Sequence, residues 1–278
     1  MLIGAHISTV GGEKKMIEKI NNFDINVIQI FVSAPRNFND SKFNQGSAKE
    51  FAEYIRKKTK VKDIFYHAIY LINLASSNKD LVEKSKNSLI SSLQVCSWMK
   101  SQGVIFHIGS SRERTFDQAK DEIADNINSI LLNTPKNSTL IIETNAGQGN
   151  CVGSKFEEIE YLISKTKDKS RIGVCLDTAH SFASGYDLSN PEKLLKNFDN
   201  IIGLKYLKAI HLNDSKTDFN SNVDRHENIG KGKIGLENIK NFINQKTLKN
   251  IPFILEVPGF DNTGPDKKNI EIVKKLLR

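Results

Sequence analysis

A chain of 278 residues, 38% hydrophobic and 26% charged with 15 Phe, holds enough apolar material for one sizeable core, which excludes a disordered segment. A formal charge of +8 and a pI near 9.2 favour an anionic partner such as nucleic acid, although the lysine-rich runs at 56–62 and 165–171 also read as solvated helix ends. Three cysteines, Cys96, Cys151 and Cys175, are odd in number and not closely paired, which excludes a disulfide framework and favours a reducing compartment.

Met1 runs straight into the apolar segment 2–7, without the basic start and small-residue cleavage site of a signal peptide. No apolar run approaches the ~18 residues of a membrane span, so the expectation is a cytoplasmic protein with no membrane partner. Short β-branched and aromatic runs then alternate with amphipathic segments. The predicted strand and helix pairs are 2–8 with 13–22, 27–32 with 48–58, 63–69 with 76–102, 104–108 with 116–133, 139–144 with 155–166, 172–178 with 191–198, 207–213 with 236–245, and 252–257 with 267–277. Near-continuous apolar strands such as Val27-Ile28-Gln29-Ile30-Phe31-Val32 suit a parallel sheet covered by helices on both faces. Eight such units predict a single α/β domain over 1–278, a TIM (β/α)8 barrel. A doubly wound open sheet is the competing topology, because periodicity does not reveal closure. No linker, low-complexity tract or longer repeat interrupts the rhythm. The longest irregular stretch is 214–235, and a loop of that length in a compact domain is usually functional. Its segment Gly230-Lys231-Gly232-Lys233-Ile234-Gly235 matches a dinucleotide-binding glycine pattern only formally, since it follows a charged loop rather than a strand, and a flexible turn is expected there.

The informative feature is where side chains able to bind metal fall. His67, His107, Glu143, Asp177, His211 and Glu256 end predicted strands three to eight, and the carboxyl ends of barrel strands share one rim. His180 follows Asp177 by three residues, and Asp224 and His226 lie in the long loop, so five of the six histidines join the set. Singly, each reads as an ordinary hydrogen-bonded or exposed residue. Together, buried imidazoles and carboxylates are costly to desolvate without a cation. Nitrogen and oxygen donors without thiolates suit zinc or manganese better than magnesium, with zinc favoured. A catalytic zinc takes about three protein ligands, so this surplus implies several ions. Neither His-Glu-x-x-His nor Cys-x-x-Cys occurs.

Several segments resemble endonuclease IV, in the expected order along most of the chain: Gly4-Ala5-His6-Ile7-Ser8, Tyr70-Leu71-Ile72-Asn73-Leu74-Ala75, Glu143-Thr144-Asn145-Ala146-Gly147-Gln148-Gly149, Asp177-Thr178-Ala179-His180, Gly185-Tyr186-Asp187, His211-Leu212-Asn213-Asp214-Ser215, and Asp224-Arg225-His226-Glu227-Asn228-Ile229-Gly230. The resemblance implies a TIM barrel with three zinc ions, manganese being an alternative at one. By carry-over, His67, His107 and Glu143 hold one ion. Glu143 bridges to a second, completed by Asp177, His211 and Glu256, while His180, Asp224 and His226 hold the third. Glu143 and Glu256 are the implied catalytic residues, acting with a hydroxide shared by the metals. Arg36, Tyr70 and Leu71 match positions whose side chains enter duplex DNA at a lesion. The implied activity is hydrolysis of the phosphodiester 5′ to abasic sites in duplex DNA, leaving a 3′ hydroxyl and a 5′ deoxyribose phosphate. Removal of blocking groups from 3′ ends is implied too, by a monomer working in base excision repair.

Ile69 and Ile108 stand where the family commonly has proline, and Ser111 and Lys231 replace commoner His and acidic residues. None removes a ligand, but losing proline relaxes the backbone beside His67 and His107. His6, outside the ligand set, is expected to orient a neighbouring ligand by hydrogen bonding. Apart from the resemblance, Tyr70 and Arg36 read as an amphipathic strand-end residue and a solvated loop residue. Two other functions compete: a metal-dependent sugar isomerase of the xylose isomerase type, disfavoured by ligands for a third ion, and a damaged-DNA-binding protein that does not cut, disfavoured by the complete ligand set.

Overall fold

The computed structural model describes residues 1–39 and 41–277. Among them the strands, in chain order, are β1 (Ile3–His6), β2 (Val27–Phe31), β3 (Asp63–His67), β4 (Gly103–Phe106), β5 (Leu140–Glu143), β6 (Ile172–Asp177), β7 (Leu207–His211), β8 (Asp214–Ser215), β9 (His226–Glu227) and β10 (Phe253–Leu255). The helices are α1 (Gly12–Phe23), α2 (Gln45–Lys58), α3 (Lys79–Met99), α4 (Phe116–Leu132), α5 (Phe156–Lys165), α6 (Thr178–Ala183), α7 (Pro191–Ile201), α8 (Leu236–Ile243) and α9 (Lys267–Leu276). β1 to β7 and β10 form a closed parallel barrel, while β8 and β9 make a separate antiparallel ribbon. Closure rests on β1, where Gly4 aligns with Val27 of β2 on one side and Ile254 of β10 on the other. That pairing rules out the open sheet. No helix among the described residues is long and apolar enough to cross a membrane.

Two apolar layers explain the near-continuous hydrophobic strands. Val27, Phe65, Ile105, Ile141, Cys175, Ala209 and Ile254 fill the barrel interior, and a second cluster packs the outer strand faces against the helices. Gly4 is required by close approach, since a Cβ there would collide with the Val27 carbonyl oxygen. The helices start where capping chemistry allows. Asn44 with Ser47 and Thr115 with Gln118 form reciprocal capping boxes, and Asn190 caps α7 with Pro191 in its first turn. α3 is shorter than the predicted 76–102 because Asn78 accepts the Leu81 N–H at its start and Lys100 turns left-handed at its end.

Three features depart from the sequence reading. α6 follows β6 directly, inside what read as a loop. The long loop contains the β8–β9 ribbon, with Asp214 opposite Glu227 and Ser215 opposite His226. The glycine-rich segment is held rather than flexible: the buried Asp214 carboxylate accepts backbone N–H groups from Gly230, Gly232, Ile234, Gly235 and Ser215. A Cβ at Gly232 would collide with the Ser215 carbonyl oxygen and lie 2.5 Å from Asp214 Oδ1, so the glycine spacing serves this wrapping.

Candidate metal centre

Parallel strands in a barrel all point their carboxyl ends at one rim. His67, Glu143, Asp177 and His211 are the last residues of β3, β5, β6 and β7, and His107 and Glu256 stand one residue beyond β4 and β10. Fully buried Glu143 occupies the middle. Its Oε2 lies 3.1 Å from His67 Nε2 and 3.3 Å from His107 Nε2. Its Oε1 lies 2.9 Å from His211 Nδ1 and 3.3 Å from His180 Nδ1. Glu256 Oε2 is 3.2 Å from His211 Nδ1, and Asp177 Oδ2 is 3.5 Å from His226 Nε2.

Three groups offer donor atoms within 4.8 Å of one another: His67, His107 and Glu143; Glu143, Asp177, His211 and Glu256; and Asp177, His180 and His226. The first two coincide with the expected sets. The third shares Asp177, and Asp224, on the solvent side, brings Oδ1 to 3.2 Å from His180 Nε2 and 3.7 Å from His226 Nε2. All nine side chains singled out in the sequence therefore converge. α6 explains the Asp177-x-x-His180 spacing: Asp177 is its N-cap, and Asp177 Oδ1 accepts the His180 N–H at 2.8 Å.

The hydrogen bonds around the rings assign their free nitrogens, because a carbonyl only accepts. His67 Nδ1 donates to the Ala68 carbonyl at 2.7 Å and His180 Nδ1 to that of Thr144 at 2.9 Å, so Nε2 of each is the nitrogen left to face the cluster. His226 Nδ1 lies 3.4 Å from the Glu256 carbonyl, and its Nε2 meets His180 Nε2 at 3.3 Å. The two Nε2 atoms face each other with carboxylates on either side, an arrangement that a bound cation would satisfy. His107 is the exception. Asn145, whose carbonyl oxygen accepts the Gly147 N–H, turns its amide nitrogen to His107 Nδ1 at 3.3 Å, so the ring proton sits on Nε2 and must move to Nδ1 before Nε2 can hold a metal.

Electrostatics point the same way. Burial pushes Glu143 upward, yet His107, His211 and His180 hold it well below the usual carboxylate range, and Glu256 is depressed likewise by His211 and His6 against its burial. Burial opposes charge on His180, but Asp177 and Asp224 raise it well above the ordinary imidazole value; Cys175, Glu256 and Glu143 do the same for buried His211. The cluster demands positive charge. A divalent cation held by nitrogen and carboxylate oxygen supplies it, so the residues present fit the metal site that the sequence implied.

Arg36 follows β2, and Tyr70 and Leu71 follow β3, on the same rim. Tyr70 is 62% exposed and Leu71 39%, unusual for large side chains beside buried polar groups. The two loops are tied together by the Tyr70 N–H donating to the Pro35 carbonyl at 3.0 Å. Phe31 connects them to the centre, with ring centroids 5.3 Å from Tyr70, 5.6 Å from His67 and 4.5 Å from His6. Ile69 and Ile108 are buried, so side-chain packing constrains the segments where the family commonly has proline, whereas Ser111 is buried and Lys231 exposed.

Sequence reasoning missed the residues that hold the donors. Buried Asn213 donates to Asp177 Oδ2 at 2.7 Å and accepts the Glu256 N–H at 2.9 Å. Thr144 Oγ1 accepts the Asp177 N–H at 2.9 Å. Gln29, fully buried, bonds His211, Glu256 and His6. A signal for Gln29 was present: a lone amide in an otherwise apolar strand buried on both faces must have partners.

A closed (β/α)8 barrel whose carboxyl-end rim gathers three sets of His and carboxylate donors defines a metal-site TIM barrel. The family model described as a xylose isomerase-like TIM barrel matches residues 17–278. A probable endonuclease 4 of Halothermothrix orenii is 40% identical, with 100% of each chain covered. The apurinic-apyrimidinic endonuclease 1 of Plasmodium falciparum is 41% identical over 94% of this chain and 44% of its own length, so this chain spans about half of that relative. The crystal structure of endonuclease IV from Thermus thermophilus superposes with a TM-score of 0.86 at 29% identity, covering 99% of this chain and 98% of that one. A D-tagatose 3-epimerase-like protein, at 20% identity and a TM-score of 0.72, shares the fold. This chain belongs to the endonuclease 4 family.

Proposed function

We propose that this protein is a zinc-dependent endonuclease that hydrolyses the phosphodiester 5′ to abasic sites in duplex DNA and also clears blocked 3′ ends. The observation that carries this reading is the convergence of three donor groups about Glu143, beside the exposed side chains Arg36, Tyr70 and Leu71. In this reading three ions are held by His67, His107 and Glu143, by Glu143, Asp177, His211 and Glu256, and by His180, Asp224 and His226, with manganese an alternative at one. Bound metal lowers the pKa of water and offsets charge developing on phosphate.

The chain's own residues do the rest. Glu143 and Glu256 flank His211 and orient the attacking water by accepting its hydrogen bonds. Arg36, Tyr70 and Leu71 enter the duplex where the base is missing, and a nucleotide without a base is extruded at lower cost because less stacking is broken. Surface Lys and Arg hold the phosphate backbone by releasing counterions, so binding weakens as salt rises.

The test is a duplex with one tetrahydrofuran residue, which lacks the C1′ hydroxyl needed for β-elimination. The zinc-replete protein should cut it on the 5′ side, leaving an end that a DNA polymerase extends, and elemental analysis should find close to three zinc ions per chain. A lyase leaves this substrate whole, a lesion-binding protein shifts it without breaking it, and a sugar isomerase ignores it; any of these results at low salt overturns the reading.

A further inference from the structure

Gln29 is the middle residue of β2, fully buried at the floor of the donor cluster. Its amide makes three hydrogen bonds in this site. Nε2 donates to Glu256 Oε1 at 2.5 Å and to His6 Nδ1 at 2.9 Å, and Oε1 lies 2.8 Å from His211 Nε2. The orientation is forced. A carboxylate only accepts, so the amide nitrogen must face Glu256, and the amide oxygen must then face His211. An oxygen there accepts, so His211 Nε2 carries the proton. The consequence lies on the other side of the ring: with Nε2 committed to Gln29, Nδ1 is the His211 nitrogen turned to the donor cluster, 2.9 Å from Glu143 Oε1 and 3.2 Å from Glu256 Oε2, where a bound ion would take the place of its proton.

We propose that Gln29 is a positioning residue for the ion held by Glu143, Asp177, His211 and Glu256, fixing the His211 tautomer that leaves Nδ1 free while holding Glu256 in place with the same amide. The inference rests on the metal reading above. It also explains His6, whose Nδ1 is occupied by the Gln29 N–H, so His6 is a brace rather than a ligand. Outer partners that fix ligand tautomers commonly change metal affinity about 10- to 100-fold. Gln29 is unusual in serving a His and a carboxylate of one donor group with a single planar unit.

The experiment compares wild type with Gln29→Met, which keeps chain length and approximate volume but neither donates nor accepts in the same way, and Gln29→Glu, which keeps only the acceptor for His211. Zinc binding is followed by competition with a chelator, and long-range 1H–15N spectra of zinc-loaded, 15N-histidine protein report the protonated nitrogen of His211, assigned by its loss in His211→Asn. In wild type, His211 should show a protonated Nε2 and a metal-bound Nδ1. Gln29→Met should lower the affinity of one zinc equivalent on the order of 10- to 100-fold, leaving the others close to wild type. Gln29→Glu should keep the His211 proton on Nε2. A protonated His211 Nδ1 in wild type overturns the proposal without any variant, and so does Gln29→Met with three wild-type zinc affinities. If Gln29→Met does not fold, the spectra of wild type and Gln29→Glu decide. Wild-type protein that binds no zinc, or leaves the tetrahydrofuran duplex whole, instead sinks the functional reading.

Discussion

Replacing Asp214 with Asn tests whether the loop carrying Asp224 and His226 is built around one buried carboxylate. Asp214 Oδ1 accepts N–H groups from Ser215 at 2.8 Å, Ile234 at 3.0 Å and Gly235 at 3.4 Å, and Oδ2 accepts those of Gly230 and Gly232, both at 3.0 Å. Asparagine keeps one acceptor oxygen and turns an NH2 toward the other set. At least two buried backbone donors then lose their partner and face another donor. At about 1–3 kcal/mol for each unsatisfied group, the substitution should cost about 2–6 kcal/mol. For a domain of this size that is a fall in Tm of roughly 5 to 20 °C. If the loop opens by itself, the cost appears as local exposure instead. Thermal unfolding should therefore be read beside limited trypsin digestion, with Lys231 and Lys233 as the reporting sites. The ribbon pairs Ser215 with His226, so the zinc assigned to His180, Asp224 and His226 should weaken as well. Gly232→Ala should act in the same direction, because its Cβ meets the same atoms. An Asp214→Asn protein with wild-type Tm, wild-type resistance at Lys231 and Lys233 and full zinc content would refute the reasoning.

Glu143→Gln keeps shape but removes the charge at the centre of four imidazoles; incision should fall by several orders of magnitude while a gel shift still detects duplex binding, and unchanged turnover would count against a bridging role. His6→Asn should keep all the metals even if the rate drops, because His6 Nδ1 serves Gln29; loss of a full zinc equivalent would make it a ligand. Tyr70→Ala should leave fold and zinc content intact, since Tyr70 is 62% exposed, but lower affinity for an abasic duplex by about 1–3 kcal/mol if the ring stacks on bases. His180 and His211 are raised well above the ordinary imidazole value of about 6.5, so the metal-free protein retains their protons to higher pH and zinc must displace them. Zinc affinity should accordingly fall with acidification, beginning above that value, and a flat profile in chelator competition between about pH 8 and 6 would contradict the sign.

The sequence by itself determined the number and order of the βα units and singled out the nine side chains that converge at the rim. Every barrel strand but β2 carries a His, Asp or Glu at its end or one residue beyond, and parallel topology sends every such end to one rim, so chain order suffices to gather His67, Glu143 and His211. The tertiary structure alone decided what depends on partners distant in the chain. Closure needed β1 beside β10, and Gln29 meets Glu256 across 227 positions and His211 across 182. α6 was hidden because its 6 residues are too short to show helical periodicity, although its capping residue was already marked as a donor. The glycine-rich segment misread as flexible is ordered by Asp214, which stands 16 positions before Gly230 and 21 before Gly235, and no local pattern announces that a carboxylate will collect N–H groups from five residues. Which imidazole nitrogen is free was likewise undecidable from the chain, since it is set by whether the other nitrogen meets the Ala68 carbonyl, the Thr144 carbonyl or the Gln29 amide. Hydrophobic burial follows periodicity and is legible locally; the satisfaction of buried polar groups is long-range and directional, and only the folded chain fixes it.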